Sequence, residues 1–189
     1  MPQDGERPSN RKPPGARDAR FQAVVLPYLD DAVNLAWWLA GSRADAEDIV
    51  QEAVLRAFKY FDRFTGEKAR PWLLAIVRNT SATWMAKNRP RHLTLVADPQ
   101  ADMESGAAQS GDVAPSPEQQ SERRELQQEI DRAVASLPLD FREVILLREV
   151  EELSYKEIAA VLDVPIGTVM SRIARARKLL QLQLKEAVG

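Results

Sequence analysis

The stretch "ADPQADMESGAAQSGDVAPSPEQ" (97–119) constrains this chain most, because it has nothing to contribute to a core. It is acidic, rich in Ala, Gly, Ser and Pro, and carries no aromatic residue. Ordering it would cost more entropy than its apolar burial could return, so it reads as a flexible linker. The 189 residues then divide into a disordered Pro- and Arg-rich tail (1–18), a first block (19–92), the linker (93–116) and a second block (117–186). Neither block alternates apolar and polar residues as strands do, and both repeat apolar residues at three- and four-residue steps. The expected fold class is all-α: two small helical domains joined by a flexible linker.

The chain has no cysteine and one histidine, His92. Disulfides, thiolate nucleophiles, Cys-ligated zinc and histidine clusters are therefore excluded, and neither metal nor cofactor is expected. No apolar run approaches the roughly 20 residues of a membrane span, and the N-terminus does not resemble a signal peptide. A soluble, cytoplasmic, non-enzymatic protein is the expectation. Charge is segregated along the chain. Residues 19–92 carry +3, 93–118 carry −5, 119–163 carry −5 and 164–189 carry +4, within a net −2. Surfaces of opposite sign suggest different partners.

The clearest helix of the first block is "SRADAEDIVQEAVLRAFKYF" (42–61), with Ser42 and Asp45 as a capping pair. Ala46, Ile49, Val50, Ala53, Val54, Ala57, Phe58 and Phe61 form its apolar stripe. Asp48, Gln51, Glu52, Leu55 and Lys59 fall opposite. Leu55 is thus an apolar residue on a polar face: either a partner contact or an ordinary exposed leucine. The loop after it mixes Tyr60, Phe61 and Phe64 with Arg63, Lys68 and Arg70. Aromatic faces stack on unpaired bases while cations follow phosphates, although the aromatics could equally be core. Pro71 opens the next helix. Leu73, Ile76, Val77, Thr80 and Trp84 lie on one side of it; Ala75, Arg78, Asn79, Ala82, Ala86 and Arg89 lie on the other. Trp37 and Trp38 cannot both face one core.

In the second block, Ser116 and Pro117 start a helix with Leu126, Ile130, Val134 and Leu137 inward. A second helix, about 139–150, buries Phe141, Val144, Ile145 and one of Leu146 and Leu147. "SYKE" (154–157) caps a short helix with Ile158, Ala159 and Leu162 inward, and "DVP" (163–165) turns into a last helix, about 166–184. This is a helix-turn-helix, with Thr168, Met170, Ser171, Arg172 and Arg175 facing outward. Such side chains anchor phosphates and read guanine in the major groove. A merely solvated basic helix is the competing reading.

Together these residues resemble the extracytoplasmic-function (ECF) group of bacterial RNA polymerase sigma factors. "DAEDIVQEAVLRAF" (45–58) and "RPWLLAIVRN" (70–79) are similar to the sigma-2 domain, and 137–180 to the sigma-4 domain. The resemblance implies that Asp48, Gln51, Glu52 and Leu55 dock on the β′ clamp of core RNA polymerase. It implies that Arg63, Phe64, Lys68, Arg70, Arg78 and Asn79 open the −10 element, with Asn79 on the family's base-capturing Asn. It implies further that Thr168, Met170, Ser171, Arg172 and Arg175 read −35 duplex DNA, that apolar surface nearby meets the β flap, and that an anti-sigma factor is a partner. Met170 stands where the family commonly has a basic residue, Pro165 where it often has a capping Ser, and Asp163 where a turn Gly is frequent. A stand-alone helix-turn-helix regulator is the alternative, and a carboxylate hydrolase using Asp45, Glu47 and Asp48 the remote one.

Overall fold

A computed structural model of the chain describes residues 15–92 and 116–188. The expected tail up to residue 14 and the linker from 93 to 115 lie outside the described residues. Every element among the described residues is helical, and no helix among them is long and apolar enough to cross a membrane.

The first domain packs α1 (Ala16–Val25), α2 (Leu29–Ala40), α3 (Arg43–Tyr60) and α4 (Ala69–His92) around one core. Helix α1 begins three residues before the boundary expected from composition. Its Arg17 pairs with Asp62 at 3.0 Å, donates to the Phe58 carbonyl at 2.7 Å and lies 4.3 Å over the Phe58 ring. Gly41, at φ 73°, closes α2 in the left-handed conformation. Ser42 then caps α3 by accepting from the Asp45 N–H. The expected stripe of α3 is inside: Ala46, Ile49, Val50, Ala53, Ala57 and Phe61 are buried, with Val54 and Phe58 packed beside them. Trp37 and Trp38 share the rim, both half-buried and edge to face at 4.9 Å.

Helix α4 is buried on more of its circumference than its periodicity suggested. Leu74 and Ser81 are inside together with Leu73, Val77 and Thr80. The two hydroxyls are satisfied within the helix, Thr80 donating to the Ile76 carbonyl and Ser81 to that of Val77.

The second domain comprises α5 (Pro117–Ser136), α6 (Leu139–Ile145), a π-helical turn (Leu146–Val150), α7 (Tyr155–Leu162) and α8 (Ile166–Val188). Capping boxes at Ser116/Gln119 and Ser154/Glu157 start α5 and α7. Asp163, at φ 53°, makes the left-handed turn into α8, a conformation Asp tolerates. Two expectations fail. Leu126 and Ile130 are 54% and 36% exposed, so the apolar burial of α5 comes from Ala133 and Val134, with Leu137 just past its end. At 20 residues α5 is about 30 Å long, more than this small core can cover. Leu146 and Leu147 are both buried, because the π turn is enclosed by α7 on one side and α2 of the first domain on another.

That last contact belongs to a larger one. Helix α7 packs along α4, and the buried apolar residues of both domains form one continuous cluster.

Candidate polymerase and nucleic-acid interfaces

On α3, the stripe that fills the core turns the opposite face to solvent. Asp48 and Gln51 are exposed, Glu52 is half-buried and held by Arg56 at 2.8 Å, and Leu55 is 62% exposed. An apolar side chain so placed, among carboxylates and an amide, suits a partner with both apolar and basic groups.

The loop and α4 are arranged differently. Phe64 is buried, stacked on Phe61 at 6.0 Å and against Trp72 at 4.7 Å. It supports the loop from inside and offers no ring to a passing strand in this conformation. Arg63 is exposed, with its guanidinium 5.8 Å from the Tyr60 ring, and Tyr60 is itself 45% exposed. Gly66, at φ 94°, allows the loop to turn before α4. Asn79 is exposed on α4, its Oδ1 accepting from Arg78 at 3.2 Å.

The three remaining cations of this group all meet carboxylates of the second domain. Arg78 makes a forked pair with Glu143, Nε to Oε1 at 2.8 Å and Nη2 to Oε2 at 3.1 Å. Arg70 lies between Asp31 and Glu151, 2.5 Å from each, and also donates to the Glu151 carbonyl. Lys68 reaches Glu157 at 3.0 Å. Glu143 and Glu151 are almost fully buried by these contacts. Burial, with Asp31 near, pushes the Glu151 carboxyl up to about 7 against the pull of Arg70. Bonds from Ser154 and Lys68 bring Glu157 down to about 2. Neither Glu143 nor Glu151 was singled out from sequence. A buried Glu in a leucine-rich helix signals a partner cation, but nothing in the sequence says which one.

In the helix-turn-helix, Val169, Ile173 and Ala176 bury one side of α8 against the domain. At about 100° per residue, Thr168, Ser171, Arg172 and Arg175 share one arc, centred roughly 120° from the buried side. Arg175 is exposed, while Arg172 leans back to Asp140 at 2.7 Å. Ser171 donates to the Thr168 carbonyl at 3.0 Å. Met170 is 53% exposed but lies outside that arc, roughly 160° from Arg172 by the same pitch and one turn from the exposed Ile166. It adjoins an apolar edge and not the cationic centre. Among the described residues no three of His, Cys, Asp and Glu stand close enough to share a metal ion.

Comparison with known proteins identifies both domains. The model of Sigma-70 region 2 matches residues 24–91, and that of Sigma-70 region 4 matches residues 127–180. The ECF RNA polymerase sigma-E factor of Escherichia coli K12 is 38% identical over 171 residues, covering 89% of this chain and 88% of its own. The RNA polymerase sigma-H factor of Pseudomonas aeruginosa is 34% identical over 174 residues, covering 88% and 89%. The sigma factor RpoE from Bartonella quintana, solved in complex with the anti-sigma factor NepR, superposes with a TM-score of 0.64 at 30% identity, covering 88% of this chain and 97% of that one. Both domains and their order are thus those of one family: the chain belongs to the ECF RNA polymerase sigma factors.

Proposed function

We propose that the chain recruits core RNA polymerase to promoters by dividing the work among the three surfaces just described. The face of α3 bearing Asp48, Gln51, Glu52 and Leu55 docks on the β′ clamp. The loop 62–70 and α4, with Arg63, Lys68, Arg70, Arg78 and Asn79, take the −10 element and hold one base out of the opened duplex, with Phe64 bracing the loop from the core. Helix α8 reads the −35 duplex through Thr168, Ser171, Arg172 and Arg175, with Met170 at its apolar edge. The exposed leucines and isoleucine of the second domain, Leu126, Ile130 and Leu182, offer an apolar surface to the β flap. The first domain is the polymerase-binding and melting unit, and the second is the −35 unit. No residue is assigned a catalytic role, and the site of action is the cytoplasm, where polymerase and chromosome meet. An anti-sigma factor is the expected regulatory partner.

The observation that carries this reading is the coexistence of an acidic face centred on an exposed Leu55 with basic faces on both domains. A regulator that only bound duplex DNA would need α7 and α8 alone, and would leave the first domain without work. The test is permanganate footprinting of thymines in a reconstituted holoenzyme. Asn79→Ala should abolish −10 reactivity while leaving core binding and −35 protection intact. Unchanged reactivity would remove Asn79 from the site.

A further inference from the structure

We propose that Arg17 is a positioning residue for strand binding: it holds the Asp62 carboxylate, so that Lys59 and Arg63 stay available to phosphates of the opened strand. The inference rests on the assignment of Arg63 to the −10 element given above. Asp62 is the one acid between Lys59 and Gly66, the stretch in which α3 passes through a 3-10 turn (Phe61–Arg63) into the loop. It stands three residues from Lys59 and next to Arg63, within reach of either cation were it not held. Arg17 takes it instead, Nε to Oδ1 at 3.0 Å. Lys59 and Arg63 then pair with no carboxylate among the described residues, and each lies 5.8 Å from the ring of the exposed Tyr60. Lys68, Arg70 and Arg78, by contrast, each hold a carboxylate.

An exposed ion pair is ordinarily weak, because two long side chains must be ordered to form it. Here one of the two is already ordered. Arg17 Nη2 donates to the Phe58 carbonyl in the last turn of α3 at 2.7 Å, and its guanidinium lies 4.3 Å over the Phe58 ring. Helix α1 itself is fixed on the same junction, with Phe21 meeting Phe58 and Phe61 edge-on at 5.0 and 5.2 Å. Arg17 is thus aimed at Asp62 by contacts that do not involve Asp62. The Asp62 side chain is 74% exposed, so without Arg17 its charge would face the solvent beside the strand. An unmasked carboxylate there repels phosphates and draws off a cation that should meet them.

The test uses holoenzyme reconstituted from core RNA polymerase and the full-length chain, with a labelled forked duplex from a promoter it opens, the −10 strand left unpaired. Arg17→Ala should weaken fork binding about fivefold, the factor for one unit charge met at about 4 Å in water. The slope of log affinity against log salt should become shallower by about 0.7, the share of one phosphate contact on a single strand. Adding Asp62→Asn should restore both, although it replaces neither the bond to the Phe58 carbonyl nor the ring contact. Asp62→Asn alone should change little. A defect in Arg17→Ala that Asp62→Asn does not repair overturns the proposal, since Arg17 would then touch the strand itself or serve the fold alone. Binding unchanged in Arg17→Ala but weakened in Arg63→Ala overturns the masking and leaves the −10 assignment standing. Binding unchanged in Arg63→Ala removes that assignment and the proposal with it.

Discussion

Replacing Leu55 by Ala separates an interface residue from a core residue on one helix. Full burial of a leucine side chain is worth about 1.5–3 kcal/mol. Leu55 keeps 62% of its surface in the free chain, so burying that fraction against polymerase is worth roughly 1–2 kcal/mol. The expected loss is therefore about 5- to 25-fold in affinity for core enzyme. The fold has little to lose, because an exposed substitution of this kind changes stability by roughly 0.5 kcal/mol or less. Leu35, 1% exposed in the same domain, supplies the contrast: its replacement by Ala should cost about 2–5 kcal/mol of stability. Affinity is read by titrating labelled chain with core polymerase, and stability by thermal unfolding. Leu55→Ala should weaken binding with an unmoved Tm. Unchanged affinity, or a fall in Tm comparable to that of Leu35→Ala, would refute the assignment of this face to the polymerase.

The other consequences concern DNA and pH. Arg175→Ala should weaken −35 duplex binding by roughly 1–3 kcal/mol if Arg175 reads a base, as measured by anisotropy. Asp140→Asn should strengthen it by up to about fivefold, because Arg172 is held by an exposed pair worth roughly 0.2–1 kcal/mol that DNA must displace. The contact between the two domains should also respond to pH. The Glu151 carboxyl, facing Arg70 and Asp31, sits at about 7 with the domains in contact and near its ordinary 4.5 when solvated, so the contact binds its proton more tightly. The contribution of this group to the contact is then fully present below about 4.5 and is lost as pH rises through about 7. Thermal unfolding of the chain should show the contribution declining between about pH 4.5 and pH 7, and this response should vanish in Glu151→Gln. Glu157, at about 2, stays ionised throughout.

Much of this architecture was legible because it is local. The capping box at Ser154/Glu157, the left-handed turn at Asp163 and the stripe of α3 each follow from a few residues and one helical period. What periodicity could not supply was the identity of the second surface against which a helix packs. Leu126 and Ile130 repeat like core residues, yet α5 extends past its neighbours and leaves them exposed. Leu146 and Leu147 stand on neighbouring sides of the π turn, and a packed surface against each side buries both. Phe64 carried both readings in sequence, base stacking and core, and only the Phe61 and Trp72 rings around it place it inside. The three interdomain ion pairs were the least legible, because each depends on a docking that brings α4 against α7 across the linker. The separation of Met170 from Arg172 is a matter of helical angle, and was readable from spacing alone.

The most direct test of the central claim is run-off transcription from genomic fragments with core RNA polymerase, with and without this chain. The account predicts discrete start sites that appear only when chain and core are both present, each with a shared pair of upstream elements. Binding of the chain to duplex DNA in the absence of polymerase, with no new start sites in its presence, would contradict it.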